Sequence, residues 1–266
     1  MRVIGISLVQ NEDRFLELSV KNALDFCDEF IIVDNQSVDN TPLVAEKLSK
    51  EFNQVSYHRI NSPKESQKFI EPYINTNTWI FAVDGDEIYD PAGLKKLLPL
   101  LATKYREYWM VYGNVLHCED VDFQKRKATG YLARPSRSMT KLYNFSLIKS
   151  WDGKCSERLH GGEAIFHNPA SDEKRLRFDF ESSWEESIFR CLHMVFLPRS
   201  SLDRKVGYGR LNIHDKLTMS RKQKLLRWIR TMFGLTYSSS TKNIYYRRGE
   251  KVNKDVDLFL VNDATE

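Results

Sequence analysis

A chain of 266 residues, 41% apolar and 29% charged, can bury a substantial core and is too apolar for a disordered chain. No stretch reaches the ~18 uncharged apolar residues of a membrane-spanning helix, and four scattered cysteines without a C-x-x-C pair argue against a zinc cage or disulfide framework. The net charge of +4 is uneven: residues 199–254 carry fifteen Lys and Arg against three acids, a net of +12, which leaves −8 for the remainder.

The N-terminal MRVIGISLVQNEDR meets acids straight after its apolar run and lacks a cleavage pattern, so a cytoplasmic protein with reduced thiols is expected. Residues 3–9 read as a strand buried on both faces. Asn11 is placed to cap a helix with Glu12 and Asp13 in its first turn and Leu16, Val20, Leu24 and Cys27 on one stripe. Residues 30–33 form a second predicted strand. Thr41 then caps a helix with Pro42 at its first position and Val44, Leu48 and Phe52 on one face. A third strand at 55–60, a weaker helix at 63–74 and a fourth strand at 79–83 complete the alternation. This pattern predicts an α/β fold with a mostly parallel sheet and helices on both faces.

Beyond residue 108 the pattern becomes mixed α+β. YWMVYGNVLHC reads as a strand, the Lys- and Arg-rich stretch 124–137 as a mobile loop, and further strands fall at 140–146, 164–167 and 191–197. The expected organisation is a catalytic domain over 1–198, with halves 1–90 and 91–198, followed by a basic extension over 199–266.

In an open parallel sheet the ligand crevice lies beyond the carboxyl ends of the strands. Gln10-Asn11-Glu12, Asp34-Asn35-Gln36-Ser37 and Asp84-Gly85-Asp86-Glu87 all fall there. Three D-x-D pairs occur, but Asp120–Asp122 and Asp255–Asp257 follow no comparable strand; only Asp84–Asp86 is well placed. Three carboxylates within four positions repel one another and need solvent, a basic neighbour or a metal ion.

Residues 3–11 (VIGISLVQN), 31–41 (IIVDNQSVDNT) and 79–87 (WIFAVDGDE) resemble, in order and interval, the three signature blocks of family 2 glycosyltransferases. Leu8-Val9-Gln10 replaces the usual proline and aromatic residue of the first block. A weaker similarity links WDGKCSERL, residues 151–159, to the G-x-V-H-E-x-L segment of lipopolysaccharide-type members. The resemblance implies a GT-A, Rossmann-like fold and inverting sugar transfer from a nucleotide-diphosphate donor, UDP- or GDP-linked, to a glycan or lipid-linked acceptor. It implies donor contacts from Val9, Asn11, Glu12, Asp34, Gln36, Ser37, Asp84 and Gly85, with Asp34 on the nucleobase. It also implies Mn²⁺ or Mg²⁺ on Asp86, with Asp84 at the sugar or acting through water and His193 as a later ligand. Glu157 is the implied general base, with Asp152 and the Glu185-Glu186 pair competing. The plainer readings are a helix-capping Asp34, a surface Glu157 and a core His193.

A nucleotidyltransferase would show a glycine-rich loop after the first strand, and a P-loop kinase G-x-x-x-x-G-K-[ST]; neither is present. A haloacid-dehalogenase-like phosphatase carries its D-x-D after the first strand. A non-catalytic binding module with a basic tail is the rival from another class. In LTMSRKQKLLRWIRTMFGL, residues 217–235, Leu225, Ile229, Met232 and Phe233 share a helical face amid Arg and Lys. That pattern suits contact with an anionic membrane or packing on the catalytic domain. Nucleic acid is a poorer partner, because no base-reading element accompanies the charge.

Overall fold

The computed structural model describes residues 1–152, 163–203, 220–232 and 248–260. Its core is four parallel strands, β1 (Arg2–Val9), β2 (Glu29–Asp34), β3 (Val55–Arg59) and β4 (Thr78–Ala82), in the order β4-β1-β2-β3. Alternate residues of β1 serve opposite faces, as the pleat demands. Val3 and Val9 join one buried cluster, whereas Ile4, Ile6 and Leu8 join another.

Helices α1 (Leu16–Leu24), α2 (Thr41–Glu51) and α3 (Pro91–Ala102) all pack on the Val3 side, through Val20, Leu48 and Leu97. The expectation of helices on both faces is therefore corrected. Because β1, β2 and β3 succeed one another in the same direction, right-handed crossovers place α1 and α2 on one side. The connection from β3 returns past β1 to β4 and must cross the opposite face. It does so as two 3₁₀ turns, Pro63–Phe69 and Glu71–Tyr73, where a helix was expected. Ile70 from this connection, with Trp109, Phe145 and Trp151, closes that side.

Two cap assignments also change. Asn11 does not cap α1, which begins at Leu16; it sits instead at a left-handed φ of 56°. Thr41 lies inside α2, and its hydroxyl accepts from Glu12 N at 2.8 Å.

After β4 the chain makes the Asp84–Asp86 turn and a short strand, β5 (Glu87–Tyr89), before α3. Strands β6 (Met110–Asp122), β7 (Lys127–Leu132) and β8 (Met139–Asn144) extend the sheet, with β8 antiparallel to β4. A separate hairpin joins β9 (Ile148–Asp152) to β10 (Glu163–Phe166). Next come β11 (Arg175–Arg177), the short helix α4 (Phe178–Glu181) and β12 (Arg190–His193), which lies between β5 and β6. Helix α5 (Arg221–Met232) and strand β13 (Lys251–Asp255) are the remaining regular elements described.

The loop expected over 124–137 contains β7 at its centre, paired on both sides by β6 and β13. Its charge misled: Lys127 is exposed and pairs with Asp255, while Ala128 and Gly130 are buried. Within the basic C-terminal segment, β13 forms the sheet edge and Phe259 stacks on Trp184 at 5.8 Å. Asn22 of α1 donates to the Phe259 carbonyl at 2.8 Å, so the described end of the segment is joined to the fold. No helix among the described residues is long and apolar enough to cross a membrane.

Candidate active site at the carboxyl edge of the sheet

The turns after β1 and β2 are stitched to each other. Asn11 N donates to Ser37 Oγ, Asn11 Oδ1 accepts from Val38 N, and Gln10 Nε2 donates to the Asn35 carbonyl, each at 2.8 Å. Gln36 also adopts a left-handed φ, 57°, an uncommon conformation for a residue other than glycine or asparagine. Asp34 lies wholly buried beneath these turns. Its Oδ1 accepts from Ser37 N at 2.8 Å and its Oδ2 from the Tyr57 hydroxyl at 3.2 Å, with Arg59 Nε at 3.7 Å. Burial and the Asp34 charge push the Tyr57 phenol up to about 12.

The turn after β4 is fixed from α1, where the buried Ser19 hydroxyl lies 3.1 Å from the Asp84 carbonyl and 2.7 Å from the Glu87 carbonyl. Gly85 permits a close approach here: a Cβ at that position would meet Glu12 Oε2 at 2.4 Å and a Val9 methyl at 3.0 Å, so the Glu12 carboxylate would have to move. Val9, Glu12, Gly85 and Asp86 are thereby gathered into one site.

Its charges are balanced in pairs. Asp84, the one acid of its turn with appreciable exposure at 25%, accepts from Lys141 Nζ at 2.7 Å. Lys141 is itself buried on β8 and lies 3.6 Å from Glu87 Oε1. Burial holds the Glu87 carboxyl well above its usual range, against the Lys141 charge. Asp86 is fully buried, and its Oδ2 accepts from Arg199 NH1 at 2.7 Å; the same guanidinium nitrogen lies 3.3 Å from Glu12 Oε1. The basic neighbour that the acidic turn called for is thus two residues, Lys141 and Arg199.

A histidine pair completes the site. Strand register aligns His193 with Glu87 on one side and with His117 on the other. His117 Nε2 lies 2.7 Å from the Arg137 carbonyl, so this nitrogen carries the hydrogen. Burial, then the neighbouring His193, lowers the His117 imidazole to about 3, leaving it neutral with a bare Nδ1. That nitrogen lies 3.1 Å from His193 Nδ1, which must therefore donate. The other nitrogen of His193, Nε2, faces Asp86 Oδ2 at 3.5 Å. An imidazole nitrogen and a carboxylate oxygen set side by side in this way suit a divalent cation that takes its remaining ligands from water and phosphate.

Among the described residues no group of three or more His, Cys, Asp and Glu side chains forms a metal cage. Asp86 and His193 converge, while Asp84 turns to Lys141. Glu157 lies outside the described residues. Of its competitors, Glu185 pairs with Lys254, Glu186 bonds Ser183, and Asp152 ends β9. The other two D-x-D pairs form surface salt bridges, Asp122 with Lys125, Asp255 with Lys127 and Asp257 with Arg126. His117, Lys141 and Ser19 were not singled out from sequence; each acts through a partner far away in the chain.

The sequence profile of Glycosyl transferase family 2 matches residues 6–171, more than half of the chain and all three crevice turns. The chain belongs to glycosyl transferase family 2. The mixed α/β architecture with its largely parallel central sheet is the GT-A-like arrangement expected of such a member.

No curated protein sequence matches the chain. Among solved structures, a mannosyltransferase of Pyrobaculum calidifontis in complex with GDP-Man and Mn²⁺ is similar at 13% identity and a TM-score of 0.45, covering 93% of this chain and 88% of that one. Residues 1–349 of Staphylococcus aureus TarS are similar at 13% identity and a TM-score of 0.41, covering 73% and 60%. Glucosyl-3-phosphoglycerate synthase of Mycobacterium tuberculosis, in complex with Mn²⁺, UDP and phosphoglyceric acid, follows at 18%, 0.33, and 43% of each chain. The chain spans between 36% and 60% of the TarS chains it matches. The family 2 assignment rests on the sequence match and not on these likenesses.

Proposed function

We propose that the protein is a glycosyltransferase that moves a sugar from a UDP- or GDP-sugar to a glycan or lipid-linked acceptor, with inversion at the transferred carbon. The observation that carries this reading is the convergence of Asp86 and His193 Nε2, 3.5 Å apart, at the sheet edge beside the Asp34 turn of a family 2 chain. Asp86 and His193 would hold Mn²⁺ or Mg²⁺. When bound, such a cation stabilises the charge that grows on the leaving diphosphate.

The protein's own groups divide the remaining work. Asp34 and the 34–37 turn hold the nucleoside, with Val9, Asn11, Glu12, Gln36 and Ser37 shaping its pocket. Asp84, the solvent-facing acid, is placed for the donor sugar and is oriented by Lys141. Glu157 takes the proton from the acceptor hydroxyl. Lipid-linked acceptors are favoured by α5, which exposes Leu225, Leu226 and Ile229 beside exposed Arg221 and Lys222. Exposed apolar side chains beside such cations suit the surface of an anionic membrane.

Turnover of a panel of UDP- and GDP-sugars with Mn²⁺ tests the reading. Asp34→Asn should raise the donor's apparent dissociation constant more than it lowers kcat. Glu157→Gln should leave donor binding intact and slow transfer by roughly 10²–10⁴-fold. Absence of turnover and of hydrolysis with every donor would leave a binding module.

A further inference from the structure

Arg199 has no counterpart in the roles assigned above, yet it occupies the centre of the site. The Asp86 side chain has no exposed surface, and the guanidinium of Arg199, itself 15% exposed, sits on Asp86 Oδ2 at 2.7 Å. The same nitrogen reaches Glu12 Oε1 at 3.3 Å. Oδ2 is also the oxygen that faces His193 Nε2, so the position a divalent cation would take is already served by a protein cation. Two cations cannot share that oxygen without strong repulsion.

The segment that delivers Arg199 is firmly anchored. Arg14 N donates to the Arg199 carbonyl and Arg14 Nε to the Ser200 carbonyl. Ser200 Oγ donates to Asp39 at 2.6 Å, Ser201 N to Asp13 at 2.7 Å, and Asp203 Oδ2 accepts from both Arg199 N and Ser200 N. With the backbone of residues 199–201 held at five points, Arg199 can respond only by swinging its side chain. Glu12 is the partner that keeps the guanidinium at the site while it does so.

We propose that Arg199 is the resident counter-ion of the cation site and couples cation binding to diphosphate binding. This rests on the reading of Asp86 and His193 as the cation's holders. Without nucleotide, Arg199 neutralises Asp86 and disfavours a second cation there. With a nucleotide diphosphate present, Arg199 yields Asp86, keeps Glu12 and pairs with a phosphate oxygen, a fork-to-oxyanion contact for which guanidinium is well shaped. Cation and diphosphate then favour each other's binding by equal factors, as linkage requires.

Direct titration of Mn²⁺, followed by electron paramagnetic resonance with and without UDP or GDP, tests this on the full chain. Arg199→Met leaves Asp86 and Glu12 uncompensated, so it should bind Mn²⁺ alone about tenfold more tightly than wild type. The gain in Mn²⁺ affinity on adding nucleotide should meanwhile shrink about tenfold, the residue being the nucleotide's own contact with the ion. Arg199→Lys keeps the charge but not the fork, and should move both quantities in the same directions by less; it serves alone if the methionine variant fails to fold. Equal Mn²⁺ affinity in wild type and variants, or weaker binding without Arg199, overturns the role of Arg199 alone. Absence of Mn²⁺ binding in all three proteins, with or without nucleotide, overturns the cation reading beneath it and this inference with it.

Discussion

A Cβ at Gly85 would lie 2.4 Å from the Glu12 carboxylate, which would have to move. Gly85→Ala should therefore cost about 1–3 kcal/mol by overpacking, read from urea unfolding, and displace the carboxylate that tethers Arg199. His117 offers a sharper test, because its two nitrogens do different things. Asparagine places an acceptor where Nδ1 now meets His193, whereas leucine places none. His117→Leu should weaken Mn²⁺ binding by about 10–100-fold, the usual cost of losing the group that orients a metal-binding histidine, and His117→Asn should restore much of it. Equal losses in both variants would mean that His117 serves packing only. At this scale the sequence displays acids better than their partners. Asp84, Asp86 and Glu12 stand out because strand ends announce them. Lys141 and His117 do not, since the fold alone brings each to its partner, across 57 and 76 residues.

Among the elements, β1, β2 and β4 were legible because each carries a short apolar run bounded by polar turns, and β3, VSYHR, from its place in the alternation. The side of the sheet taken by each connection was not, because it follows from the order β4-β1-β2-β3, which no local pattern encodes. Strand β7 was hidden by its charge, and it became a strand because β6 and β13 satisfy both its edges. Phe259, beyond β13, is buried on Trp184. Phe259→Ala should destabilise the fold by about 3–5 kcal/mol, a loss that an independent tail would not produce. Helix α5 carries a prediction of a different kind. Flotation with vesicles containing anionic lipid should recover the protein at low salt, and salt or charge reversal at Arg227 and Arg230 should release it. If neutral and anionic vesicles bind it equally poorly at low salt, the leucines of α5 serve packing instead.

Over the whole molecule, the sheet brings turns from residues 9–12, 34–38 and 84–87 to one edge, and later parts of the chain supply Lys141, His193 and Arg199 to the same place. Neither half holds the site alone. The central claim is that Asp86 anchors a cation-dependent nucleotide-sugar site. Thermal unfolding with UDP- and GDP-sugars, each with and without Mn²⁺, tests it most directly, because a ligand bound to the folded state raises the Tm by mass action. Wild type and the distant control Asp122→Ala should both be stabilised by one class of donor, and only with Mn²⁺ present. Asp86→Ala should remain folded and lose that Mn²⁺-dependent shift. A shift of wild-type size in Asp86→Ala would contradict the account.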